Sequence, residues 1–390
     1  MTDPYALLVV GGGPAALSAV RAYREAATDG AVAIVSDEGR MPYSRPPLTK
    51  DLLRGESTES ELPLEEDRWL DDNRVDLIAG RAVAVDSDER EVLLSGGRTL
   101  GYACCLLATG AEPTRLPIPG ADHPAVHVIR TPEHVRRLTA RLRDDSHVVV
   151  VGSGFIGCEI AASLRVRGHA VELVSDESEP NIARLGEAQA RILREWLAQD
   201  GVGLHLGASV SDISHGADGV VVTAGDERIV GDLVVMAAGV APRSELASQA
   251  GIELAGGAIP VSAAMRTERD GLLAAGDVCL ADNLAAGRPL RVEHWGDALG
   301  QGEIAGATAA GVEAGWDAVP GFWSTIGART LKYAAWGDGF DATRLHRDDD
   351  GAFVAWYGRE GKIAGVLTHQ RDGDYERGRE LIAGGSPWPP

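Results

Sequence analysis

The chain has 390 residues, more than one ordinary compact core accommodates, so two or three domains are expected. A formal charge of −21 excludes a nucleic-acid or anionic-membrane surface, because either partner needs a basic footprint. Contents of 44% hydrophobic and 24% charged residues exclude a disordered chain, and four cysteines with no CxxC or CxxxxC pair point to a reducing cytoplasm.

The first residues lack the charged start of a signal peptide, and a glycine cluster interrupts their apolar run well short of a membrane span. That run, Ala6 to Val10, is a predicted strand ending in Gly11-Gly12-Gly13-Pro14-Ala15-Ala16. A helical pattern through Leu17, Val20 and Tyr23 follows, then a second apolar run from Ala31 to Val35, which completes a βαβ unit. Asp37, just beyond, is placed to accept hydrogen bonds from an adenosine ribose. Leu106 to Gly110 is another apolar strand ending in small residues, with Pro113 after it. Arg136, Arg137, Arg141 and Arg143 cluster on a predicted helix and read as a solvated charged face.

About 140 residues after the first unit the pattern returns. His147 to Val151 ends in Gly152-Ser153-Gly154-Phe155-Ile156-Gly157, followed by helical Ile160 to Val166 and the strand Ala170 to Val174. In such units the first glycine turns the chain off the strand and the second lets backbone N–H groups approach a diphosphate. The third position packs helix on strand, and Ala16 takes it in the first copy. The second acid, Asp176, reads as arriving one residue late, and no basic residue stands nearby before Arg184. A 2′-phosphate therefore lacks a counter-charge, which favours NADH over NADPH.

Val234 to Gly239 is a further apolar strand, with Pro242 behind it. Pro113 and Pro242 mark where the chain passes between two nucleotide-binding domains. Leu272 to Asp277 places a carboxylate beyond a strand's C-terminal end, where open α/β sheets bind ligands, and Asp277 suits a polyol such as a ribityl chain. From about Pro320 the texture shifts to short strands, Phe353 to Tyr357 and Ile363 to Thr368, and a helix near Tyr375 to Ile382. The fold class is α/β, with two Rossmann-like nucleotide-binding domains plus a small C-terminal α+β domain.

Met41-Pro42-Tyr43-Ser44-Arg45-Pro46-Pro47-Leu48-Thr49-Lys50 forms a PYxRPPL[ST]K block. Together with Ala108-Thr109-Gly110, Gly154 to Ala161, Ala274 to Val278 and Val292-Glu293-His294-Trp295, it resembles the ferredoxin reductases, flavoprotein components of oxygenase systems related to apoptosis-inducing factor. The resemblance runs from about residue 5 to residue 385. It implies a discontinuous FAD-binding domain (1–115 and 243–318), an NAD(P)H-binding domain (116–242) and a C-terminal domain (319–390) covering the flavin. Gly11, Gly13, Pro14, Ala15 and Ala16 would take the FAD diphosphate, Asp37 the ribose, Val83 the adenine, and Arg45 and Lys50 the flavin side. Ala108, Thr109, Gly110, Gly276 and Asp277 would continue that site, and Glu293, His294, Trp295 and Trp323 would stand near the flavin. NAD(H) would lie on Gly152, Gly154, Phe155, Ile156, Gly157, Asp176 and Gly239. By the same resemblance Glu159 pairs with Lys50 and meets the nicotinamide amide, and these two are the expected catalytic residues. Only Lys50, Lys332 and Lys362 are lysines among 37 basic residues, so a compact ammonium inside this block is notable.

The expected reaction is hydride transfer from NADH to FAD, then electron transfer to a ferredoxin-like iron–sulfur protein, by a monomer or homodimer. Two alternatives stay open: direct reduction of oxygen, a quinone or another small molecule, and an NADH-responsive flavin sensor. Glutathione- and thioredoxin-reductase relatives carry a redox-active cysteine pair, for which no spacing exists here, and no metal is expected because His294 has no neighbouring ligand.

Overall fold

Two parallel sheets organise the computed structural model, which describes residues 3–27, 29–66, 68–216 and 219–389. β1 (Tyr5–Val10), α1 (Pro14–Ala26) and β2 (Val32–Ser36) form the first βαβ unit. Leu7, Leu8 and Val9 are fully buried, as an unbroken apolar strand inside a parallel sheet requires. β1 runs parallel to β2 on one side and to Thr99–Leu107 on the other, with Val10 level with both Val35 and Leu107. Val75–Ala79 extends the sheet beyond β2, and Leu272–Ala274 comes back from far along the chain to pair with Thr99–Leu107.

The second unit comprises β3 (His147–Val151), α2 (Phe155–Val166) and β4 (Ala170–Ser175). Its sheet runs Gly203–Leu206, β4, β3, Leu233–Met236 and Val126–His127, parallel throughout. The two crossing segments lie side by side, Ala111–Pro113 antiparallel to Val240–Pro242.

α3 (Trp295–Ala309) packs along α1 at backbone contact. A Cβ at Gly302 would stand 2.3 Å from the Ala15 carbonyl oxygen, and one at Gly306 would stand 2.0 Å from that of Ala19. No side chain fits at either position, so α3 fixes the height of α1 above its sheet. After it, β5 (Gly321–Ile326) begins a five-stranded antiparallel sheet closed by α4 (Asp372–Ala383).

The expected arginine helix is shorter than its cluster. It spans Pro132–Thr139, which leaves Arg141 and Arg143 beyond its end. Arg136 pairs with Glu59 and Glu133, Arg137 with Glu133, and Arg143 with Asp232, while Arg141 donates to the Pro124 carbonyl. Three of the four arginines are thus paired with carboxylates. Among the described residues no helix is long and apolar enough to cross a membrane.

Candidate functional site

Both fingerprint turns use the same device. Gly11 has φ +133° and a Cβ there would lie 2.1 Å from the Ala108 carbonyl oxygen; Gly152 has φ +106° and the same construction reaches Ala237 oxygen at 2.4 Å. Only glycine permits that approach of turn to neighbouring strand. Gly13 and Gly154 are different: a Cβ on either would face open space, at the start of a helix with no side-chain cap. Each helix therefore presents free N–H groups and its positive end, a cradle that suits a diphosphate.

The turns open onto one cavity of about 1140 Å³. Gly11, Gly13, Pro14, Ala15, Asp37, Arg45, Lys50, Val83, Ala108, Thr109, Gly110, Gly276, Asp277, Glu293, His294 and Trp295 line it. From the second unit and the C-terminal sheet come Gly154, Phe155, Ile156, Glu159, Gly239 and Trp323. Four expected residues do not reach it. Ala16 is fully buried on the inner face of α1, and Gly152 and Gly157 do packing work: a Cβ on Gly157 would sit 2.0 Å from the Gly152 carbonyl oxygen. Asp176 is exposed outside the cavity wall.

Asp176 is nevertheless not late. The Gly11 N–H donates to the Val35 carbonyl and the Gly152 N–H to the Val174 carbonyl, each at 2.8 Å. Counted from those bonds, Asp37 and Asp176 occupy the same place, two residues on. The loop holding Asp176 is pinned by Glu177, whose carboxylate accepts from the Asn181 and Ala183 N–H groups.

At the centre lies a buried ion pair. Lys50 Nζ donates to Glu159 Oε2 at 2.7 Å, the two side chains being 10% and 2% exposed. Thr49 Oγ1 donates to the same oxygen at 2.6 Å. Ser324 Oγ and the Thr325 N–H donate to Oε1 at 2.7 and 3.3 Å. Three stretches far apart in sequence thus meet on one carboxylate, and its burial is compensated by four donors. Beside it Phe322 packs edge-to-face with Phe155, centroids 4.8 Å apart, and tilted against His294, at 4.6 Å. His294 Nδ1 is 3.1 Å from the buried Asp297 carboxylate, which also accepts from the Gly321 N–H. Trp323 is 43% exposed at the cavity edge.

Apart from Arg45, sequence reasoning placed none of the cavity's arginines at the site. Arg130 donates to Asp277 Oδ2 at 2.9 Å, and its own carbonyl accepts from Arg45 at 2.7 Å. Arg243 reaches Asp37 Oδ2 at 3.3 Å, while Arg45 also pairs with Glu38. With Arg81, Arg115 and Arg184, six arginines line the cavity of a chain whose net charge is −21. With Lys50, seven cationic side chains line the cavity beside seven carboxylates, so its wall is close to neutral within a strongly acidic chain.

The pyridine nucleotide-disulphide oxidoreductase family model matches residues 5–302. The chain belongs to that family. Rhodocoxin reductase of Rhodococcus erythropolis is 30% identical over 98% of this chain and 91% of its own length. The ferredoxin reductase of the CYP199A2 system from Rhodopseudomonas palustris superposes with a TM-score of 0.92 at 30% identity, covering 98% of this chain and 95% of that one. The reductase in a covalent putidaredoxin reductase–putidaredoxin complex gives 0.91 at 26% identity, with coverages of 98% and 93%. In this pyridine nucleotide-disulphide oxidoreductase no cysteine lines the cavity. Burial pushes all four thiols up, that of Cys104 to about 11, and Cys158 donates to the Ser153 carbonyl as a core residue. Thiolate chemistry at neutral pH is disfavoured at every one.

Proposed function

We propose that the chain is an FAD-dependent NAD(P)H oxidoreductase that takes hydride from NADH and passes electrons to a ferredoxin-type iron–sulfur protein of an oxygenase system. One observation carries the reading: both fingerprint turns open onto a single cavity with the Lys50–Glu159 pair in its wall. The relatives' names point the same way, being reductases of rhodocoxin, of a CYP system's ferredoxin and of putidaredoxin. We divide the chain as the sequence suggests, into an FAD-binding domain (1–115, 243–318), an NAD(P)H-binding domain (116–242) and a C-terminal domain (319–390), working in the cytoplasm.

Gly11, Gly13, Pro14 and Ala15 would hold the FAD diphosphate at the start of α1, with Asp37 on the ribose and Arg45, Arg130 and Asp277 along the chain to the ring. Gly154, Phe155 and Ile156 would hold the nicotinamide nucleotide, and Asp176, level with Asp37, favours an unphosphorylated ribose. Bound FAD supplies the exchange between two-electron and one-electron chemistry. Lys50 contributes a fixed positive charge in a water-poor wall, where it stabilises negative charge developing beside it. Glu159 orients that ammonium, and Phe155, Phe322 and His294 exclude water and fix the approach of a planar ring.

Under anaerobic conditions NADH will bleach the flavin of the FAD-loaded protein, and sustained NADH oxidation will require an iron–sulfur acceptor. Flavin that stays oxidised sinks the donor half of the reading. Turnover equally fast with oxygen or a quinone alone sinks the acceptor half.

A further inference from the structure

We infer that the Ser324 hydroxyl is a placeholder for the nicotinamide carboxamide, occupying Glu159 Oε1 until the nucleotide arrives and so setting selectivity for that amide. The inference rests on the reading of the cavity as the place where the nicotinamide meets FAD.

Glu159 is the one charged side chain of α2 that lines the cavity, one turn beyond Phe155 on the same helical face. A carboxylate only accepts hydrogen bonds and offers about four lone-pair positions. All are spoken for: Lys50 and Thr49 on Oε2, Ser324 and the Thr325 N–H on Oε1. A carboxamide can bond Glu159 only by replacing a donor.

The four donors differ in what their release costs. Displacing Lys50 would separate a buried ion pair. Thr49 is tied at its backbone, because Ser163 Oγ donates to its carbonyl at 2.7 Å, and its hydroxyl shares Oε2 with the ammonium. The Thr325 N–H is fixed by the strand and reaches only to 3.3 Å. Thr49 and Ser324 both offer a neutral hydroxyl and both line the cavity, but Ser324 alone holds the oxygen that the ammonium does not share, at 2.7 Å. An amide N–H that takes its place restores the same donor count. The exchange adds no net bond, so the serine lowers affinity while keeping the empty carboxylate satisfied.

The test compares NAD+ with 3-acetylpyridine adenine dinucleotide, whose carbonyl is kept but whose amide NH2 is a methyl group. Dissociation constants are read from perturbation of the oxidised flavin spectrum of the FAD-loaded protein, with no turnover. In S324A the vacant Oε1 position is filled only by the amide, so the ratio of NAD+ to analogue affinity rises by roughly 3- to 10-fold. Ser324→Thr keeps the hydroxyl and holds the wild-type ratio. An unchanged or lower ratio in S324A, or an equal rise in S324T, overturns the inference. If S324A does not retain FAD, S324C, a near-isosteric weak donor, must show a smaller rise in the same direction, and an unchanged or lower ratio there overturns the inference. Failure of the underlying functional reading looks different: wild-type flavin would then remain oxidised under NADH.

Discussion

Lys50 sits where a single charge has the most leverage. Its ammonium is held between the Pro46 carbonyl, at 3.2 Å, and Glu159, a space that suits three tetrahedral donors and not a planar fork. Lys50→Ala will slow flavin reduction by NADH roughly 100-fold in stopped-flow traces, and Lys50→Arg will not restore it. A rate within twofold of wild type in either variant rejects the assigned role. His127 makes a different residue-scale statement. Burial, then the nearby Arg141, Arg115 and His134, depress its pKa from 6.5 to about 4, and its Nε2 has no hydrogen-bond partner. A depressed histidine favours the folded state fully above 6.5, and this contribution is lost as pH falls through about 4, because the unfolded chain takes up the proton first. His127→Gln will flatten that part of the stability profile in urea melts across this window. Neither Arg130 nor Ser324 was legible in the sequence, because their partners lie 147 and 165 residues away and each looks ordinary in its own segment. Lys50 and Glu159, 109 residues apart, were joined only by resemblance to a family.

At the scale of elements, local chemistry had already written most of the plan. Two glycine fingerprints, each between an apolar strand and a helix, gave the strands of the βαβ units within a residue, while the helices begin three to five residues before the apolar pattern, directly after the glycine turns. The lateness read into Asp176 was an error of strand register, which hydrogen bonds settle and a run of apolar letters does not. The contact of α1 with α3 was also invisible: Gly302 and Gly306 look like helix-weakening residues until Ala15 and Ala19 stand against them. Gly306→Ala will raise intrinsic helix propensity yet lower the urea midpoint, by about 1–3 kcal/mol of overpacking, and will loosen FAD by tilting the start of α1. A variant at least as stable as wild type, with unaltered FAD retention, would show that the helices yield.

For the molecule as a whole, charge governs the encounter with an acceptor. The net charge is −21, and in the arginine cluster around Pro132–Thr139 three members, Arg136, Arg137 and Arg143, are paired with Glu59, Glu133 and Asp232. Reduction of an acidic iron–sulfur protein will therefore speed up with salt between roughly 0.01 and 0.1 M, as the screening length shrinks from about 30 to about 10 Å. A rate that falls over that range would reveal a basic docking face. The return of Leu272–Ala274 and α3 to the first sheet has a further consequence, in the order of synthesis. The first βαβ unit leaves the ribosome early but lacks a strand and the helix that seats α1 until residue 309 has followed. The second sheet, whose strands all lie between Val126 and Met236, has its full set of strands first. The second sheet is thus complete first, while the first waits with an open edge at Cys105–Leu107 until Leu272–Ala274 has been made, an interval in which that edge is free to pair elsewhere.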